Sequence, residues 1–165
     1  MIEDPEHLVR AAQGGDTLAM SQLLDQLAPY VGRICAPIAL SNGPDAAQEA
    51  LVAVFRSLRT LKDPAALFGW VRAIAIREAI RVARQDQRQV VADLADLPAR
   101  DDPQLAVDIR DTLARLSPEH RALLVLRDLE GLDERDAAAL LEVPAGTAKS
   151  RLHRARESFR KAWAS

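Results

Sequence analysis

The sequence predicts an all-α protein, and two observations indicate it: the composition and the recurrence of helix-starting pairs. Of the 165 residues, 48% are apolar but only 4% are aromatic, and Ala and Leu dominate. This mixture favours packed helices and gives little support to β-strands. A pair typical of a helix N-cap and first helical residue, Asp or Ser followed by Pro, recurs at Asp4-Pro5, Asp63-Pro64, Asp102-Pro103 and Ser117-Pro118.

Caps and glycines delimit the first two helices. Asp4-Pro5 opens a short helix that should end at Gly14-Gly15, and Asp16 caps a longer one. The apolar stripe of this second helix consists of Met20, Leu23, Leu24, Leu27, Val31, Ile34 and Ile38. Pro29 and Pro37 should bend or break the second helix because proline lacks a backbone N–H.

A third and a fourth helix follow a turn at residues 41–44. The third begins near Asp45, and its apolar residues are Leu51, Val54, Phe55, Leu58 and Leu61. Asp63-Pro64 begins the fourth. The fourth helix carries the apolar residues Leu67, Trp70, Val71 and Ile74. It then runs into an arginine-rich tail of Arg77, Arg81, Arg84 and Arg88.

An acidic segment with two prolines, residues 89–103, interrupts the helical periodicity. We interpret it as a linker between two small helical domains, residues 1–88 and 104–165. The second domain begins with a helix whose stripe should be Leu105, Ile109, Leu113 and Leu116. Ser117-Pro118 starts the next helix, which should stop at Gly131.

The final part of the chain has the layout of a helix-turn-helix. An acidic, alanine-rich helix after Leu132 meets a break at Val143-Pro144, and a basic helix follows. Between Lys149 and Lys161 there are six Lys or Arg residues and a single acid, Glu157. Because the net charge of the whole chain is −2, any contact with nucleic acid should be confined to local basic patches and should be helped by a partner.

The two faces of the basic helix differ in chemistry. Helical spacing predicts a buried stripe of Ala148, Leu152, Ala155 and Phe159. Another face, or its border, carries Thr147, Lys149, Ser150, Arg151, His153, Arg154 and Arg156. Arginine can bind guanine edges or phosphates, Ser and Thr can bond to either, and backbone N–H groups at the first turn can meet a phosphate. The pattern therefore favours a DNA-reading helix over a merely solvated one.

The segment from Leu116 to Arg156 resembles region 4 of the extracytoplasmic-function sigma factors of bacterial RNA polymerase, a branch of the sigma-70 family. The most specific part is GTAKSRLHRAR, residues 146–156, at the expected distance from Gly131-Leu132 and Val143-Pro144. The segments DAAQEALVAVFRSL, residues 45–58, and FGWVRAIA, residues 68–75, are similar to region 2 of the same family.

The resemblance implies a transcription initiation factor that binds core RNA polymerase and promoter DNA, requires no cofactor and is usually held inactive by an anti-sigma factor. Region 2 would bind the polymerase clamp and help to open the −10 element, and region 4 would bind the polymerase flap and read the −35 element. By position, Lys149, Ser150, His153 and Arg154 are the implied DNA contacts. Thr147, Arg151 and Arg156 are the implied phosphate contacts or packing support.

The third helix is the implied docking helix for polymerase, and its candidate polymerase contacts are Leu51, Val54, Phe55 and Leu58. One small domain cannot bury all of Leu51, Val54, Phe55 and Leu58, so we expect some of them to face the partner. The chain departs from the family where Val52-Ala53 replaces a Gln-Glu pair on this helix. Arg77 and Arg81 stand where relatives often carry Asn and Asp, and these basic residues could hold the phosphates of a displaced strand.

Other function classes have less support. An enzyme is disfavoured because His7, His120 and His153 are far apart in sequence and no phosphate-binding glycine loop or nucleophile motif is present. The single cysteine, Cys35, excludes an internal disulfide and a cysteine-rich metal site, and we interpret it as a small apolar residue.

Two binding functions remain as alternatives. One is a degenerate sigma-like protein that binds an anti-sigma factor or regulator without initiating transcription. The other is a helix-turn-helix regulator that dimerises on palindromes, which the two-domain layout disfavours. Because the sequence has no signal pattern and no apolar run of about 18 residues, we expect a protein that stays in the cytoplasm without membrane insertion. We also expect a monomer.

Overall fold

The computed structural model describes residues 4–87 and 103–164, so the predicted linker lies outside the described residues apart from Pro103. Every regular element in these two ranges is helical, which confirms the all-α class. The first range contains α1 (Pro5–Gln13), α2 (Thr17–Ala39), α3 (Gly43–Ser57) and α4 (Leu67–Gln87), with short 3-10 turns at Leu40–Asn42, Leu58–Thr60 and Pro64–Ala66. We call it the N-terminal half.

The second range, the C-terminal half, contains α5 (Pro103–Ala114), α6 (Pro118–Leu124), α7 (Glu134–Leu140) and α8 (Ala145–Ala164). A five-residue π-helical turn, Val125–Leu129, continues α6. None of the helices in the described part of the chain is both long and apolar enough to cross a membrane.

Most helix boundaries lie where capping chemistry places them. The Asp4 carboxylate accepts a hydrogen bond from the His7 N–H at 3.1 Å, and Asp16 caps the first turn of α2 in the same way. The Ser117 hydroxyl oxygen accepts from the His120 N–H at 3.2 Å. Gly131, just after the π-helical turn, has a φ of 70°, a conformation that suits glycine.

The expected interruption of α2 is wrong, because the helix runs through both prolines to Ala39. Pro29 lies on the exposed side of the helix. The opposite face is held by the fully buried residues Leu23, Leu27, Val31, Ile34 and Ile38. Burial of five such side chains stabilises the helix by more than a missing hydrogen bond costs.

The turn between α2 and α3 is shorter than predicted. The 3-10 turn ends at Asn42, and α3 begins at Gly43, two residues before Asp45. A Cβ added at Gly43 would lie 3.1 Å from the Cα of Ala36, so the close approach of α3 to α2 favours glycine at this position.

The core of the N-terminal half lies between α2, α3 and α4, with α1 packed on α2. Val54 and Leu58 belong to this core, together with Leu67, Val71 and Ile76. In the C-terminal half, α6 and α7 pack against α8. The predicted stripe of α8 is confirmed: Ala148, Leu152 and Ala155 are buried, and Phe159 is half-buried.

The stripe predicted for the fifth helix is only partly confirmed. Leu116 is buried and Leu113 half-buried, but Ile109 is exposed. The reason is that α5 packs mainly on α8, so its outer turns lack a neighbour on that face.

The two halves also contact each other. The α6 helix and the π-helical turn lie against α2, and α6 lies against α4, so the buried apolar residues of both halves form one continuous cluster. This cluster joins Ile38 and Val31 on one side with Leu123 and Leu126 on the other.

Replacing Pro29 by Ala should stabilise the protein, by about 1–3 kcal/mol in free energy of unfolding. Alanine supplies the missing N–H to the Asp25 carbonyl, and no packing is lost because Pro29 is exposed. Urea unfolding of the two proteins measures the difference. An unchanged or lower stability for Pro29→Ala would contradict this explanation of the unbroken helix.

Candidate nucleic-acid interface

Hydrogen bonds hold the α7–α8 pair as a rigid helix-turn-helix. The Asp133 carboxylate caps α7 by accepting from the Asp136 N–H at 2.8 Å. In the turn, the Val143 N–H donates to the Ala138 carbonyl and the Ala148 N–H to the Pro144 carbonyl, both at 3.0 Å. These bonds fix where α8 begins relative to α7. The predicted helix-turn-helix is thus present in the structure.

The structure brings most of the predicted reading residues to one accessible surface. Lys149, Ser150, His153 and Arg154 are exposed, and Thr147 and Arg151 are half-buried beside them. We call these six residues the reading face. Their internal contacts are weak, since the Arg154 guanidinium reaches the Ser150 hydroxyl only at 3.5 Å. Within the described ranges, no carboxylate lies within ion-pair distance of Arg154 or Lys149, so both side chains can bind an anion.

Arg156 differs from the other predicted DNA contacts. Its guanidinium donates to the Asp128 carboxylate at 2.6 Å, a bond that raises the pKa of Arg156 and ties α8 to the π-helical turn. It lines a groove with Pro37 and Phe159, away from the reading face. The geometry favours packing support over DNA contact for Arg156.

Two residues beneath the reading face were missed by sequence reasoning. Burial, together with the charges of Arg154 and Arg151, lowers the pKa of His120. Burial would raise the pKa of Glu119, but a hydrogen bond from its own backbone N–H and a bond from Arg84 hold that pKa below its usual value. The Arg84 Nε donates to the Glu119 carboxylate at 2.6 Å. No sequence pattern reveals this contact, because it joins α4 to the start of α6.

The basic part of α4 lies beside the helix-turn-helix. Arg77 is exposed, and its Nε donates to the Ala73 carbonyl of the same helix at 3.2 Å. Arg81 is already paired, with Glu78 at 2.7 Å and Glu49 at 3.5 Å. A groove of about 430 Å³ separates this basic part of α4 from the α7–α8 turn, and its lining includes Arg77, Arg81, Arg84, Leu140, Leu141 and Glu142.

The four residues predicted to bind polymerase divide into two groups. Val54 and Leu58 are fully buried inside the N-terminal half, so the prediction that they contact a partner is wrong. They point toward the core because α3 packs on both α2 and α4. Phe55 is 55% exposed and Leu51 is half-buried, so these two can be reached. Phe55 lines a cavity of about 410 Å³ with Met20, Arg56 and Arg59.

Cys35 is a core residue. Burial raises the pKa of its thiol to about 12, and its Sγ lies 3.7 Å from the Ala75 carbonyl oxygen as a weak donor. A thiol with such a pKa is not a nucleophile at neutral pH. Among the described residues, no group of three or more His, Cys, Asp or Glu side chains could hold a metal ion.

Comparison with known proteins identifies the helix-turn-helix half. Residues 106–159 match the family model described as Sigma-70, region 4. The ECF RNA polymerase sigma-E factor of Haemophilus influenzae is 26% identical, over 91% of this chain and 90% of the relative. The RNA polymerase sigma-H factor of Pseudomonas aeruginosa is 29% identical, over 97% and 94%. The ECF RNA polymerase sigma factor SigE of Mycolicibacterium smegmatis is 32% identical, over 88% and 63%.

Two solved structures share the fold. The sigma factor RpoE from Bartonella quintana, in complex with the anti-sigma factor NepR, has a TM-score of 0.70 at 22% identity, over 86% of this chain and 94% of that one. CnrH, in complex with the cytosolic domain of CnrY, has a TM-score of 0.66 at 20% identity, over 96% of each chain.

The lowered pKa of His120 predicts how stability depends on pH. The unfolded chain takes up a proton on this histidine near pH 6.5, before the folded state does, so stability should fall as the pH drops below that value. His120→Gln keeps the hydrogen bond from the backbone N–H of residue 120 to the Ser117 hydroxyl oxygen. The variant should therefore lose less stability than the wild type as the pH falls. Urea unfolding between pH 7.5 and 5.5 tests it, with the exposed His7→Gln as control. Equal slopes for wild type and His120→Gln would refute the assignment.

Proposed function

We propose that the chain is an extracytoplasmic-function sigma factor of the sigma-70 family and that it works as a transcription initiation factor. It binds core RNA polymerase and directs the enzyme to promoters, with α8 reading the −35 element and α4 acting at the −10 element. The observation that carries the proposal is the reading face, a set of accessible basic and hydroxyl side chains in which Lys149 and Arg154 have no acidic partner among the described residues. Hydrogen bonds in the preceding turn hold its helix in place.

At the −35 element, Arg154 is the side chain best suited to read a base. It projects from an exposed position without an acidic partner in the described ranges, and a guanidinium can bond to both guanine acceptors in the major groove. Lys149, Ser150 and His153 flank it and would contact bases or backbone. Thr147 and Arg151 are half-buried, which suits phosphate contacts that position the helix.

At the −10 element, Arg77 is better placed than Arg81 to hold DNA phosphates. Arg77 is exposed and bonds only within its own helix, whereas Arg81 must first leave Glu78 and Glu49. Both arginines replace the polar residues of relatives. The contact we propose here is therefore electrostatic and carries little base preference.

Polymerase docking uses two exposed apolar surfaces, one in each half. In the N-terminal half it is Phe55 with its neighbours Leu51 and Val52, which we propose binds the clamp. In the C-terminal half it is Leu129, which is 70% exposed, with the stacked rings of Phe159 and Trp163, which we propose binds the flap. When a partner covers exposed apolar side chains of this size, their removal from water favours binding.

We also propose one chain per polymerase, no cofactor, no chemistry of its own, and a place of action in the cytoplasm, where polymerase and promoters are found. The two solved structures compared above are complexes with a second protein: NepR is named an anti-sigma factor, and the partner of CnrH is the cytosolic domain of CnrY. By analogy, this chain would have an antagonist that covers the same docking surfaces.

Replacing Arg154 by Ala should relax the preference at one base of the −35 element, at a cost of about 1–3 kcal/mol for the preferred base. Run-off transcription with core polymerase, across promoters varied one −35 base at a time, measures this. Arg160→Ala is the control. It removes the same charge from the same helix, at a position that bonds to the Arg156 carbonyl, and it should leave the base preference unchanged. A uniform loss on all promoters for Arg154→Ala would make Arg154 a phosphate contact. No transcript from any promoter with the wild-type chain would favour the degenerate sigma-like alternative.

Replacing Phe55 by Asp should weaken binding to core polymerase about tenfold or more, because a charge replaces an exposed aromatic anchor that the polymerase would cover. Fluorescence titration of labelled protein with core enzyme gives the affinity. Val107→Asp, at a similarly exposed position in the other half, is the matched control and should bind normally. Unchanged affinity for Phe55→Asp would show that α3 is not the docking helix.

A further inference from the structure

A groove beside α8 combines apolar walls with charged side chains. It encloses about 560 Å³ and lies between α8, α6 with its π-helical turn, and the last turns of α2 and α5. The apolar residues that line it are Pro37, Leu113, Leu124, Val125, Leu129 and Phe159. Small-molecule sites have volumes in this range, and apolar walls with a few polar groups are typical of them.

The π-helical turn Val125–Leu129 forms part of one wall. The Glu130 N–H donates to the Val125 carbonyl at 2.9 Å, so this hydrogen bond spans five residues where an α-helix spans four. Turns of this kind are rare and occur mostly at functional sites. Val125 is buried, whereas Leu129 is 70% exposed. The turn is a second indication of a site here, independent of the volume of the groove.

The charged residues of the lining favour an anion, because they are three arginines and one aspartate. Arg121 is committed to the fold, since its guanidinium donates to three backbone carbonyls. Arg156 and Asp128 bind each other at 2.6 Å. Arg160 is exposed, and its Nε donates to the Arg156 carbonyl at 3.3 Å. No carboxylate of the described residues lies within ion-pair distance of Arg160, so its guanidinium can bind an acid.

We propose that this groove binds a medium-chain aliphatic carboxylate, with the carboxylate on Arg160 and the alkyl chain along the apolar walls. A guanidinium can hold a carboxylate through two parallel hydrogen bonds. Each methylene that leaves water for the groove adds to the affinity. The ligand is a soluble effector that the protein binds without altering it.

Binding of such a ligand would affect polymerase. Leu129 and Phe159 line the groove, and they also belong to the surface that we proposed for the flap. A ligand in the groove would therefore compete with polymerase for these side chains. This consequence rests on the function proposed above, whereas the ligand site does not.

Isothermal titration calorimetry of the full chain without polymerase tests the site. The probes are hexanoate, octanoate and decanoate below their micelle-forming concentrations, with decanol as the uncharged analogue. One molecule should bind per chain, and each added pair of methylenes should strengthen binding roughly tenfold. Decanol should bind more weakly than decanoate because it lacks the charge that pairs with Arg160.

Two variants at exposed positions separate the charge from the apolar wall. Arg160→Ala should weaken decanoate binding about fivefold and leave decanol binding unchanged. Its control is Arg135→Ala, which removes an exposed arginine from α7, outside the lining of the groove. Leu129→Gln should weaken the binding of both ligands about fivefold. Its control is Leu18→Gln, at a position in the N-terminal half that is 67% exposed, and both controls should bind as the wild type does.

Three results would overturn the ligand site. The first is equal affinity of decanoate for the wild type and Arg160→Ala. The second is uptake of many molecules per chain that neither variant changes, which would show general adsorption to apolar surface. The third is a dimer in analytical ultracentrifugation that dissociates in Leu129→Gln, since a second copy of the chain would then occupy the groove.

Competition is measured by titrating labelled protein with core polymerase in the presence of decanoate. Decanoate should lower the affinity of the wild type for polymerase, and it should lower that of Arg160→Ala less. Binding of decanoate without competition would overturn the effect on polymerase and support the site alone. If the wild type does not bind polymerase even without decanoate, the proposed function is wrong, and calorimetry still decides whether the groove binds the acid.

Discussion

The fold depends on burial of the apolar surface of α2. This 23-residue helix buries a continuous face along its length, which includes Leu23, Leu27, Ile34 and Ile38. Its own half supplies α1, α3 and α4 as neighbours, and the last part of its surface is covered by α6 and the π-helical turn of the other half. The same constraint explains why two prolines do not break the helix and why Arg121 finds its carbonyls there.

The functional surfaces consist of the side chains that this packing leaves exposed. On α8, the stripe Ala148, Leu152 and Ala155 is buried, so the basic and hydroxyl side chains of the reading face point outward. On α3, Val54 is committed to the core, and Phe55, one residue later, faces solvent. The proposed function needs both kinds of exposed surface, one to dock on polymerase and one to read DNA. The contacts between the halves combine buried apolar side chains with polar contacts.

Local chemistry made several helix boundaries and the buried face of α8 predictable from the sequence. The caps at Asp4, Asp16 and Ser117 and the stop at Gly131 follow from neighbouring residues alone, and so does the stripe on α8. Tertiary contacts were beyond sequence reasoning. Which face of α3 is buried depends on α2 and α4, so Val54 and Leu58 were wrongly expected to meet a partner. The environment of His120 arises when α6 packs on α8, and the contacts of Arg121, Glu119 and Glu130 with the N-terminal half arise when the halves meet. No local pattern signals either.

The central claim is that one chain carries polymerase to two separate promoter elements through α4 and α8. Hydroxyl-radical footprinting on a promoter that the chain activates, with and without core polymerase, tests it most directly. With polymerase, the account predicts two protected tracts, at −10 and −35, and an α8 variant lacking Arg154 should lose protection only at −35. Protection of a single tract, or equal protection by the chain without polymerase, would contradict it.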